Sequence, residues 1–247
     1  MPTVSQNPAF QLPHSGLRRE WDRMRADPKP LARPLVVLSG WRAPGWPGAL
    51  LARQLRLLVG EQNRATTLAV PFTFIRQLDD GAVRVIEHVE RRWPGPDRDQ
   101  TVEVDVVGIS MGGLIARAAA ADLHSGKRLR IARLFTLGTP HRGARVARWL
   151  RPDALVRGMQ PGSAFLANLD RALADAPYEL ICYARLGDSW VGARNAAPTD
   201  REPIWKPGPP LLSHQTISTD RLMRTDIARR LRGEDPLAHA ASPPPRN

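Results

Sequence analysis

The sequence is poor in cysteine and lysine, and it has no long apolar run. Cys182 is the only cysteine of 247 residues, which excludes an intrachain disulfide framework. It lies in an apolar stretch and is expected to pack as a small core residue. No apolar run is long enough to span a membrane. The N-terminal MPTVSQNPAFQLPHSG lacks the basic head and apolar core of a secretory signal, so a cytoplasmic location is expected. The 36 basic residues include only Lys29, Lys127 and Lys206 as lysines, and the arginines are spread along the whole chain. The net charge of +12 and pI near 11.3 therefore do not mark a compact binding stripe. With no zinc-finger, RNA-binding-sheet or helix-turn-helix signature, nucleic acid is not an expected partner. A loose, peripheral attraction to anionic lipid is compatible with the charge. No histidine, cysteine or carboxylate cluster has metal-ligand spacing, so no metal or organic cofactor is expected.

What is present fits one α/β domain. Apolar residues make up 42% of the chain, enough for a sizeable core. Residues 1–33 read as an N-terminal arm, polar and proline-rich at its ends. Within it Ser15 could cap a short helix carrying Leu17, Trp21 and Met24. Leu35 to Leu38 reads as a buried strand, followed by Ser39-Gly40-Trp41 and a loop to Pro47. A helix through Leu50, Leu51, Leu55 and Leu58 follows, then a strand over Thr66 to Phe74. Asp79 or Asp80 can cap a helix that places Ala82, Val85, Ile86, Val89 and Trp93 on one face. Ile131–Leu137 and Tyr178–Leu186 read as further strands. The span from Ala144 to Pro177 has a helical pattern broken at Pro152 and Pro161-Gly162. Ala193 to Leu212 looks like loop. A last helix starts near Thr219 or Asp220 and carries Met223, Ile227 and Leu231. The tail from 234 to 247 reads as disordered. Alternating strands and helices predict a mostly parallel central sheet with helices on both faces, over residues 34–233.

The organising stretch is Thr101 to Ala121. A β-branched run to Ile109 breaks at Gly108-Ile109-Ser110-Met111-Gly112, and an alanine-rich helical stretch follows at once. Gly108 and Gly112 carry no Cβ, so strand and helix can approach around a tight turn. Ser110 then stands at the apex, beside the N-terminal N–H groups and positive dipole end of the helix. G-x-S-x-G in this setting resembles the nucleophile elbow of α/β-hydrolases. The alternative is a glycine-rich turn with Ser110 capping the helix.

A serine nucleophile needs a base, and the base an orienting acid. In the fold that this elbow resembles, the order is Ser, acid, His. His14 and His88 precede the serine, His124 lies in or just after the elbow helix, and His239 is in the tail. His141 ends a strand, with few acids between it and Ser110. His214, in a loop before the last helix, is where a base should stand. Between Ser110 and His214, the acids are Asp122, Asp153, Asp170, Asp175, Glu179, Asp188, Asp200 and Glu202. Only Asp188 directly follows a strong strand and so shares the carboxyl edge of the sheet with Ser110. The alternatives are a helix- or turn-capping aspartate and a hydrogen-bonded surface histidine. For an oxyanion, the backbone N–H groups of Met111 and Trp41 are the expected donors. Trp41, Trp46, Trp190 and Trp205 lie in loops at the same edge, where they either line an acyl pocket or anchor packing.

Together, Val104 to Gly113, LGTPHRG at Leu137–Gly143, MQPGSAFLANL at Met159–Leu169, LGDSWV at Leu186–Val191 and Ser213 to Leu231 resemble the lipase-like α/β-hydrolases, the group of bacterial triacylglycerol lipases and GPI inositol-deacylase-like proteins. The resemblance spans about residues 35–232. It implies the α/β-hydrolase fold, a short helical cap near 144–177, and hydrolysis of carboxylic esters through an acyl-enzyme using Ser110, Asp188 and His214. It places His141 in a structural strand-end motif outside the triad. The chain departs from the pattern at Ser39, where relatives usually carry His before Gly, and at Ile109, where they carry His before Ser. The same triad also serves thioester cleavage and acyl transfer, and the fold also serves inactive binding proteins.

Overall fold

Every residue of the run Leu35–Leu38 is buried, and the alternation of its side chains explains the whole architecture. Val36 and Leu38 face one apolar cluster, while Leu35 and Val37 face another. A strand with both faces covered needs helices on both sides. In the computed structural model, residues 10, 14–121, 126–149, 153–209, 211–239 and 242–245 are described. Asp122, His124, Pro152 and parts of the expected arm and tail lie outside these residues, as does the side chain of Ser15.

The described strands are β1 (Leu35–Leu38), β2 (Thr67–Val70), β3 (Val104–Ile109), β4 (Ile131–Leu137), β5 (Glu179–Leu186) and β6 (Ile204–Pro207). They form one sheet in the order β2-β1-β3-β4-β5-β6, and every pair is parallel. Helices α1 (His14–Ala26), α2 (Gly45–Val59) and α7 (Arg221–Leu231) cover one face. The other face packs on α3 (Leu78–Arg92), α4 (Met111–Ala120), α5 (Ala154–Gly158) and α6 (Ala164–Leu173). On α3, Ala82, Val85, Ile86 and Val89 are buried as their spacing predicts. Truncating one such fully buried aliphatic residue to alanine costs about 2–5 kcal/mol where the residue is as large as leucine or isoleucine.

Several elements differ from the sequence expectation. The strand expected over Thr66–Phe74 ends at Val70, and Pro71 opens a loop. Gln77, not Asp79 or Asp80, caps α3, and Asp80 returns the bond to the Gln77 N–H. Part of the segment read as loop, Ala193 to Leu212, forms β6. It lies at the edge of the sheet, where prolines are tolerated. The described part of the tail is laid against the domain. Ala238 is buried, its N–H donates to Asp226 Oδ1 (3.1 Å), and the indole of Trp205 donates to the Ser242 carbonyl (2.8 Å).

Candidate active site

The turn after β3 is tighter than side chains allow. A Cβ on Gly108 would lie 2.4 Å from Gly113 Cα, and one on Gly112 would lie 2.5 Å from the Leu38 carbonyl. Ser110 itself has φ +52° and ψ −123°, a conformation non-glycine residues rarely adopt. Its backbone is fixed from both sides. Ser110 N–H donates to the Leu137 carbonyl (2.8 Å), and Thr139 Oγ1 donates to the Ser110 carbonyl (2.8 Å). The strain thus serves to hold the hydroxyl above the carboxyl edge of the sheet.

Asp188 stands two residues beyond β5 at the same edge. Its Oδ1 accepts the N–H groups of Trp190 (3.0 Å) and Val191 (2.9 Å), and its Oδ2 faces His214 Nδ1 at 2.8 Å. A carboxylate only accepts, so Nδ1 carries the proton and Nε2 is left as acceptor. Ser110 Oγ lies 3.0 Å from that Nε2. The His214 loop is tied to the end of β5 by Ser213, whose hydroxyl lies within hydrogen-bond distance of the Leu186 (3.0 Å) and Pro209 (2.8 Å) carbonyls. The Trp190 ring stacks on the imidazole, with centroids 5.3 Å apart and planes 14° from parallel. The sequence motifs pointed to Ser110, Asp188 and His214, but the stacking depends on how the loop after β5 folds back.

Beside Ser110 is a mostly apolar cavity of about 330 Å³. Trp41, Pro47 and Ile109 form one part of its wall; Val146, Val156 and Met159, from the segment after β4, form another. Gly40 also lines it. A Cβ there would come within 3.3 Å of Ser110 Cβ, so a side chain at this position would crowd the serine. Trp41 follows this close approach in the loop after β1, and Met111 follows Ser110 at the start of α4. Two polar atoms beside this cavity, Ser39 Oγ and Trp41 Nε1, are buried without a hydrogen-bond partner among the described residues.

The four tryptophans proposed for this edge are not equivalent. Trp41 and Trp190 line the cavity. Trp46 is on the first turn of α2, largely exposed, and not on the cavity wall. Trp205 is a correction. It belongs to β6 and is fully buried with Ala184, Ala193 and Ala196, away from the serine. Its neighbouring prolines concealed a strand, and a strand residue facing the core cannot line the site.

His141 is fully buried behind β4. Arg117 Nη1 lies 2.9 Å from its Nδ1, and guanidinium only donates, so Nε2 holds the proton and donates to Thr136 Oγ1 (3.1 Å). Burial, followed by the charge of Arg117, holds its pKa well below 6.5. It is a neutral structural histidine. Cys182 lies beside it, and burial pushes its thiol up to about 11. Among the described residues, no group of three or more His, Cys, Asp and Glu side chains could hold a metal ion. None of the described helices is long and apolar enough to cross a membrane.

Solved structures share this fold. Phospholipase PlaB from Legionella pneumophila, solved in complex with thio-NAD, superposes with a TM-score of 0.60 at 12% identity, over 81% of this chain and 58% of its own. Bacillus licheniformis lipase BlEst2 in its mature form gives 0.56 at 16% identity, over 83% of this chain and 94% of its own. The chain has the α/β-hydrolase fold. Within this fold, residues 75–149 match the family model described as PGAP1-like alpha/beta domain, a segment that contains the Ser110 elbow and His141. The product of lin2722 from Listeria innocua superposes at 0.53 with 11% identity, over 80% of this chain and 92% of its own. The hydrolase-fold chain spans little more than half the length of PlaB. No curated protein matches it in sequence.

Proposed function

We propose that the protein is a serine hydrolase that cleaves carboxylic esters with an apolar acyl group. The observation that carries this reading is the continuous relay from Ser110 Oγ to His214 Nε2 (3.0 Å) and from His214 Nδ1 to Asp188 Oδ2 (2.8 Å), opening on an apolar cavity. Ser110 Oγ attacks the ester carbonyl carbon while His214 Nε2 takes its proton. Asp188 keeps the imidazole in the required tautomer and stabilises its cationic form. The carbonyl oxygen becomes an oxyanion that accepts the N–H groups of Met111 and Trp41, helped by the dipole of α4. Collapse breaks the ester C–O bond, and His214 returns its proton to the leaving alcohol. Water, activated by the same histidine, then attacks the acyl-serine and releases the acid. The acyl chain lies against Ile109, Val146, Val156 and Met159. Ile109 gives that wall an apolar group in place of a histidine.

The test is hydrolysis of p-nitrophenyl esters of short, medium and long chains by wild type and Ser110→Ala. The expected result is turnover by wild type and loss of about 10⁴-fold or more in the variant, with an unchanged melting temperature. Turnover that survives in Ser110→Ala removes the reading.

A further inference from the structure

Among the described residues, five large apolar side chains are more than half exposed: Trp46 (68%), Phe74 (87%), Trp149 (87%), Leu211 (84%) and Leu212 (54%). They are scattered in sequence, but the topology gathers them. All strands are parallel, so everything that follows a strand end emerges at one edge. Trp46 follows β1, Phe74 follows β2, Trp149 follows β4, and Leu211 and Leu212 follow β6. Ser110 follows β3 at that same edge. The most exposed apolar side chains thus lie on the rim of the sheet edge that carries Ser110. Leu211 is held at φ +62°, a backbone cost that keeps it outside the core.

The charge on this rim is one-sided. The segments 39–47, 71–77, 138–149, 187–192 and 208–216 contain one acid, Asp188, which is buried against His214. The same segments expose Arg42, Arg76, Arg145 and Arg148. Acids flank the rim. Asp153 pairs with Arg42 (3.0 Å), Asp80 and Glu87 line a surface pocket with Phe74 and Arg76, and Asp79 is exposed beside Asp80. Aromatic and aliphatic tips interleaved with arginines match a bilayer surface that is apolar within and anionic at the headgroups. We infer that this edge docks on an anionic lipid surface, with Trp149, Phe74, Leu211 and Leu212 entering the headgroup boundary and Arg76, Arg145 and Arg148 contacting the phosphates. The mouth beside Ser110 then opens on the bilayer. This deepens and rests on the ester-hydrolase reading by assigning the substrate class as membrane lipid esters.

The experiment uses Ser110→Ala protein, so that binding is read without hydrolysis. Its partition onto vesicles of phosphatidylcholine, with and without phosphatidylglycerol, is measured by co-sedimentation at low and high salt. Binding is expected to need phosphatidylglycerol and to weaken as salt rises. Adding Phe74→Ser and Trp149→Ser should lower the partition about tenfold or more. Adding Arg145→Gln and Arg148→Gln should lower it about 25-fold, at about fivefold per arginine. Adding Leu57→Ser, an exposed position near the C-terminal end of α2, should leave it unchanged. The inference is overturned by no binding to anionic vesicles at low salt, or by rim variants that bind as tightly as the Leu57→Ser variant. It is also overturned if the rim substitutions act by dissolving a dimer in sedimentation velocity. With Ser110 restored, the rim variants should hydrolyse a soluble short-chain ester normally. Failure of the docking inference therefore stays separate from failure of the hydrolase reading.

Discussion

Trp190 acts on the Ser110 site twice, once through its backbone and once through its ring. Its N–H fixes Asp188 Oδ1, and its indole covers one face of His214. Trp190→Ala keeps the first contact and loses the second. An imidazole free to rock out of line with Ser110 should cost kcat on a short soluble ester about tenfold, with little change in melting temperature because the indole is partly exposed. Steady-state kinetics beside a thermal melt measures both, and an unchanged kcat would show that the ring orients nothing. At this scale the sequence was informative where chemistry is local. The elbow glycines surround Ser110, and Asp188 and His214 follow from strand ends and chain order. It placed Trp190 at this edge as a pocket candidate but not against His214, because the ring reaches the imidazole by a turn of the loop. It misled on Trp205, where prolines suggested a loop and the edge of a sheet tolerates them.

The elements are joined at the end opposite the elbow by charge as well as by apolar packing. Arg232, with its side chain fully buried just after α7, donates to the carbonyls of Asp27 (2.6 Å), Met24 and Val59 (3.4 Å each) and to Glu234 (2.9 Å). α1, α2 and α7 thus meet at one guanidinium. Glu234 also receives Arg23 (2.5 Å) and Lys29 (3.2 Å). Burial alone would raise its pKa, but hydrogen bonds from Arg23, Arg232 and Lys29 draw it from 4.5 down to about 2. A carboxylate with a lower pKa folded than unfolded stabilises the fold above the unfolded value. That stabilisation is fully present above about pH 4.5 and is lost as pH falls towards about 2. The melting temperature of wild type should therefore drop through this window, and Glu234→Gln should be less stable at neutral pH with a shallower drop. Equal slopes for the two proteins would remove Glu234 from the account. None of this was legible in the sequence, because residues 24 and 232 meet only after the sheet is complete.

For the whole molecule, one topological fact organises the function. A parallel sheet sends all its following loops to one edge, so Ser110, Asp188, His214, an apolar cavity and a basic, apolar rim share that edge although they span residues 39 to 216. The alternation of strand and helix made the sheet and the edge legible in advance. The cavity walls were not, since Val146, Val156 and Met159 lie in short helical pieces whose placement depends on tertiary packing. The positive charge looked diffuse along the chain, and only the fold brings Arg42, Arg76, Arg145 and Arg148 to one edge. The central claim is that Ser110 is an activated nucleophile, and covalent labelling tests it most directly. Intact-mass analysis after incubation with a fluorophosphonate should show one adduct per chain, localised to Ser110 and absent from Ser110→Ala. Native protein that stays unmodified, or that is labelled equally in the variant, would contradict the account.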